Sequence, residues 1–251
     1  DSNKQYVTLH NKYINGNREN DFLKSFSYVA ADAQDSLANE VFASYLNEQK
    51  DALSKENLQM IYDLTRSVHD AGFPILNKNK EKFIALVGEK TYNDNMEELV
   101  WIEAKKAGKK GADPEAFKKV IQLYLPEKTD MLSAEYEISV LKRNSEWKKY
   151  APKAIKFAEQ YCQNDPERLN DIANNLLENT PDKATLQKAL KISLRAVEVE
   201  SNSVNNATTA EIYTKIGSKK LAKPYAQKAL ELAKTSGEAT ADYEKILKAT
   251  N

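Results

Sequence analysis

The chain has 251 residues with 37 basic and 37 acidic side chains, so no excess charge is left for a polyanion to recognise, which excludes a generic nucleic-acid binder. Hydrophobic residues at 41% supply a core, and the 29% charged fraction and mean hydropathy of -0.67 supply a solvated surface. One Cys and two His exclude an internal disulfide, a cysteine–histidine metal cage and an ordinary nucleophile–histidine array.

Seven glycines and seven prolines are too few for the turns of a many-stranded sheet protein, so long helices are expected. The start, Asp1 to Gln5, has neither an apolar signal core nor an initiator Met and looks cut. Tyr6, Leu9 and Tyr13, then Phe22, Leu23, Phe26, Val29 and Ala30, recur three and four apart and predict a helical hairpin. Asn15-Gly16-Asn17 breaks it, and Glu19 and Asp21 suit the dipole of the second helix. Leu37, Val41, Phe42, Tyr45 and Leu46 mark a third helix; Leu58, Ile61, Tyr62, Leu64 and Thr65 mark a fourth. Asp70 to Pro74 interrupts the pattern, which Phe83, Ile84 and Val87 resume up to Gly88. A longer helix is expected over Asn95 to Lys106, and Gly108 to Asp113 is the expected subdomain junction, dividing the chain into 1–112 and 113–251. No apolar run approaches the roughly 18 residues of a membrane span.

A repeat emerges in the second half. Ala151 and Ala158, Ala189 and Ala196, and Ala222 and Ala229 are pairs seven residues apart, each on one helix face, and the pairs recur after 38 and then 33 residues. They sit in similar text: YAPKAIKFAEQY, KALKISLRAVEV and LAKPYAQKALEL. The longer interval reflects extra residues around Asn179 to Lys183, where Thr180-Pro181-Asp182 reads as a loop and helix start. Small residues let neighbouring helices approach closely and larger apolar ones fill the gaps, so such units stack into a continuous core with a groove on one side. Groove-facing side chains from the first helix of the last two units are Asn174, Glu178, Glu211 and Lys215, whose mixed polarity suits a peptide or a partner's loop.

The last unit resembles the tetratricopeptide repeat, with Ala210, Tyr213, Gly217, Ala222 and Ala229 at its small, aromatic, turn-glycine and small positions. The resemblance covers 165–248, with more degenerate units over 113–164. The unit before it keeps Ala173, Ala189 and Ala196 but carries the inserted loop, and Ala233-Lys234 stand where the motif closes on a proline. This resemblance implies an all-α chain wound as a right-handed α-α superhelix of helix hairpins. NKYINGNRENDFLKSFSYVAADA and FPILNKNKEKFIALVGE resemble the helical region after the thioredoxin domain of secreted bacterial thioredoxin-family proteins. That resemblance implies a periplasmic or secreted location and a CxxC domain upstream.

The remaining chemical signals favour structural readings. His10 and His69 lack a second His or Cys at ligand spacing. Glu97-Glu98 and Glu198 with Glu200 lie on helical faces, and Gly108-Lys109-Lys110-Gly111 lacks the spacing of a phosphate loop. Ile216-Gly217-Ser218 lacks the strand of a nucleophile elbow, and Cys162 reads as a small buried thiol. Asn206-Ala207-Thr208 is a chance match to a glycosylation acceptor. Trp101, Trp147 and the tyrosines sit at apolar helical phase, Trp147 as an anchor where one helix enters the next unit. The expected function is a non-catalytic scaffold that binds a protein or peptide partner, without cofactor, metal, nucleic acid or membrane span. The alternative is an accessory domain positioning a substrate or partner for an upstream thiol–disulfide oxidoreductase. A hydrolase or transferase would require scattered carboxylates to converge.

Overall fold

A computed structural model describes residues 2–250, and among them the regular structure is fifteen α-helices with short 3-10 turns and no strand. The chain divides into two compact units, Asp1–Glu127 and Lys128–Asn251.

The first unit holds α1 (Ser2–Ile14), α2 (Asn20–Asp32), α3 (Ala38–Asn47), α4 (Lys55–Leu64), α5 (Phe73–Lys78), α6 (Lys80–Val87), α7 (Glu89–Ala107) and α8 (Pro114–Tyr124). Gly16, at φ 91°, ends α1 while Asn17 N–H reaches back to the Lys12 carbonyl at 3.0 Å, a left-handed stop that only glycine adopts freely. The apolar stripes then meet: Leu23 and Phe26 of α2, Phe42 and Tyr45 of α3 and Ile61 of α4 are buried.

Three expectations change here. Asp70 to Pro74 does not hold the chain out of helix throughout, because Phe73 opens α5 and Pro74 sits in its first turn, where a missing N–H leaves no bond unmade. The longer helix begins at Glu89 rather than Asn95, directly after Gly88 at φ 89°, and buries Tyr92 and Met96. The segment from Gly108 to Asp113 is a turn inside a hairpin, with Asp113 Oδ1 accepting from Ala116 N–H at 2.9 Å to start α8. The Trp101 and Phe117 rings form a T-shaped pair with centroids 5.2 Å apart, so α8 packs on α7 and the division falls after α8, at Glu127 and Lys128, rather than before it.

The second unit holds α9 (Thr129–Arg143), α10 (Trp147–Tyr161), α11 (Pro166–Asn179), α12 (Lys183–Val199), α13 (Ser203–Lys215), α14 (Lys219–Ser236) and α15 (Ala241–Ala249). Each helix packs on the next, and α11, α13 and α15 also contact one another in succession, as do α10 and α12, giving the two layers of an α-solenoid. Starts are set by side-chain caps: Asp165 accepts from Arg168 N–H, Asp182 from Thr185 N–H and Asn202 from Asn205 N–H, at 3.0, 2.8 and 2.8 Å. Ala158, Ala189, Ala196, Ala222 and Ala229 are fully buried and Ala151 nearly so. The α12 and α14 alanines let the helix pairs α11–α12 and α13–α14 lie close, while Leu169, Leu176, Leu186 and Ile192 join Ala189 and Ala196 in one buried cluster. Each such large apolar side chain contributes about 1.5–3 kcal/mol of burial.

Candidate functional site

The four residues singled out in the sequence share one depression. Asn174 and Glu178 come from α11, Glu211 and Lys215 from α13, and with Leu177 and Thr214 they line a cavity of about 480 Å³ whose far wall is Lys245, Ile246 and Ala249 of α15. Spacings of three and four residues place each helix's contributors on one face. The α15 wall escaped the sequence reading, although a signal existed: Lys245 and Ala249 follow Glu211 and Lys215 by one further repeat length.

The charges in this groove are unequally committed. Asn174 Nδ2 donates to Glu178 Oε1 at 3.0 Å, Lys215 Nζ donates to the Leu177 carbonyl, and Lys245 Nζ pairs with Asp242 at 2.8 Å. No hydrogen bond or ion pair reaches Glu211 among the described residues. Glu211 is exposed, yet its neighbours shield the carboxyl enough that desolvation raises it above the usual value, with repulsion from Glu178 and Asp242 adding to the effect. Leu177, Ile246 and Ala249 give the depression an apolar lining. The arrangement can accept donors from a peptide backbone or a cationic side chain.

A larger cleft, about 790 Å³, lies elsewhere on the same unit, lined by the start of α10 and by the loop and first turns of α12, including Trp147, Pro152, Ile155, Pro181 and Lys188. Its two walls are the Trp147 anchor and the inserted Thr180-Pro181-Asp182 loop, each read separately in the sequence as structural. In the first unit, a cleft of about 560 Å³ gathers Asp32, Asp35, Asp63 and Asp70. Three of these acids are occupied locally: Asp70 accepts from the N–H groups of Arg66 and Ser67, Asp35 from Leu37 N–H and Tyr6 Oη, and Asp63 from Gln59 Nε2 and Tyr28 Oη. No group of three or more His, Cys, Asp or Glu is arranged to hold a metal ion among the described residues.

The other flagged side chains have ordinary surroundings. Cys162 is buried at the end of α10, and burial pushes its thiol up to about 11, which leaves it protonated and unreactive at neutral pH. His69 Nε2 lies 2.9 Å from Glu103, and His10 packs on the Tyr6 ring. Asn206 is 2% exposed and donates to Ser201 Oγ and the Asn202 carbonyl, so no glycosyl acceptor is presented there. No helix is long and apolar enough to cross a membrane among the described residues. Compared with protein-family models and with curated proteins, the chain matches none.

Proposed function

We propose that the second unit is a non-catalytic, tetratricopeptide-like scaffold that holds an extended segment of a partner protein in the groove of α11, α13 and α15. The single observation that carries this reading is the convergence of Asn174, Glu178, Glu211 and Lys215 on one depression with a partly apolar lining. Glu211 and Glu178 accept from the partner's backbone or basic side chains, Asn174 supplies an adaptable amide, and Leu177 and Ile246 take apolar contact. Lys215, held by the Leu177 carbonyl, fixes where positive charge stands and so sets the partner's direction.

The test is charge exchange. Glu211→Lys combined with Lys215→Glu keeps composition and net charge but inverts the groove. Affinity capture with the wild type and this variant, after circular dichroism has shown equal helicity, should recover different partners. Identical partner sets would remove the groove from function.

A further inference from the structure

The cleft between α10 and α12 shares no residue with the groove above, and its lining has a distinct chemistry. The Trp147 ring is half-buried, its centroid 5.5 Å from that of Tyr150 in a T-shaped pair, and Ala151, Pro152, Ile155 and Pro181 continue the apolar wall. Five charged residues line the same space: Glu146, Lys148, Lys149, Asp182 and Lys188. The acids are committed within the fold. Glu146 pairs with Lys149 at 2.5 Å, and Asp182 accepts from Thr185 N–H and Oγ1 at 2.8 and 2.7 Å while capping α12. Lys148 and Lys188 are exposed and in no ion pair within 4 Å among the described residues, although the Thr185 hydrogen bonds and, behind them, the charge of Lys188 hold the Asp182 carboxyl low, so the cleft sets three lysines against two acids beside an apolar wall.

The backbone of α10 adds a second feature. Pro152 has no N–H, so the Lys148 carbonyl lacks its ordinary helical donor, and both residues line the cleft. At the same end Glu146 makes no side-chain cap, and the Lys149 and Tyr150 amides turn to the Glu146 carbonyl, which leaves the Trp147 and Lys148 N–H groups without a capping side chain. A carbonyl without its i+4 donor thus lies within a turn of uncapped donors. A peptide main chain offers both complements, and acidic side chains complement the lysines.

We propose that this cleft is a second docking site, which takes an extended acidic segment of a partner protein with one of its apolar side chains seated against Trp147. The proposal is independent of the groove reading, since neither set of residues enters the other site.

Nitrogen-15 NMR of the full chain tests it, with Trp147→Phe assigning the indole signal. The probes are three blocked peptides that flank a central Leu with Asp and Glu, with Asn and Gln, or with Lys. The acidic peptide alone should shift the Trp147 indole and leave Trp101 in place. Lys148→Glu with Lys188→Glu should weaken that binding by about tenfold or more, whereas Glu211→Lys with Lys215→Glu should leave it unchanged. The cleft variant is built to fold, because both lysines are exposed and an acid in the first turn of α10 suits the helix dipole. Equal shifts from all three peptides, no Trp147 shift with millimolar acidic peptide, or binding unaffected by the charge reversal would overturn the proposal. So would a single-stranded oligonucleotide replacing the acidic peptide as the ligand, or a Trp147 shift driven by protein concentration alone, which would make the occupant a second copy.

Discussion

Ala189 has no accessible surface, and its methyl group sits where α12 meets its neighbours. A larger side chain there has no void to enter, so Ala189→Leu forces the helices apart and should cost about 1–3 kcal/mol, read as a lowered urea midpoint. Leu221→Ala, at a position 56% exposed on α14, is the matched control and should move the midpoint little. Glu211 makes a prediction of opposite sign. Its carboxyl is raised in the folded state by desolvation first and by Glu178 and Asp242 next. The folded chain therefore holds this proton more tightly than the unfolded chain does. That contribution to stability is complete below the ordinary glutamate value of 4.5 and is lost as pH rises through the raised value. Glu211→Gln should accordingly unfold at a higher temperature than wild type at pH 7 to 8, with the difference closing at pH 4; a variant destabilised at pH 8 would contradict the assigned environment. Cys162 should resist thiol reagents in the native state at pH 8 and react fully in denaturant, because its thiol stays protonated and buried.

α13 is the element that periodicity reads least well. It buries Ser203, Asn205, Asn206, Thr208 and Thr209 along with Ala207, Ala210 and Ile212, so it has no clean polar face. Several of its polar groups are bonded within the unit: Asn205 Nδ2 donates to the Glu200 carbonyl at 2.7 Å and the Ala196 carbonyl at 3.4 Å, closing the end of α12, and Thr209 Oγ1 donates to the Asn205 carbonyl at 2.9 Å. Asn205→Leu leaves those α12 carbonyls without this donor and should cost about 1–3 kcal/mol, visible as a lower midpoint in denaturant. The legible elements were those with one apolar stripe, such as α2 through Leu23 and Phe26 or α12 through Ala189 and Ala196, because burial on one side imposes a 3.6-residue period. What escaped was set by tertiary fit. Gly72 reads as a loop residue, yet a Cβ there would collide with Thr65 Oγ1 and come within 3.0 Å of Phe42, so it is glycine because α3 and α4 leave no room. In the groove, α11 and α13 could be placed by repeat spacing and α15 by one further repeat length, whereas the commitment of Lys215 to a backbone carbonyl depends on a contact no spacing encodes.

At the scale of the molecule, the position of α8 decides where the chain can be cut. The second unit carries its own core, running from Ile138 and Leu141 of α9 to Ile212 of α13, with Leu169, Leu176 and Leu186 between them. Residues 128–251 hold the partners of every one of these side chains, so that fragment should be helical by circular dichroism and unfold cooperatively, with a denaturant slope about half that of the whole chain because the exposed area scales with length. A cut at residue 113, where the glycines and lysines suggest a junction, has a different consequence. It takes Phe117 and Ile121 with α8 but removes α7, and with it the Trp101 ring that packs edge-on against Phe117. The fragment 113–251 would then carry an amphipathic helix with an uncovered apolar stripe, a surface that promotes association. It should bind a hydrophobic dye and self-associate, while 128–251 should do neither. Equal behaviour of the two fragments would show that α8 does not need α7, and the division after Glu127 would no longer describe how the chain folds.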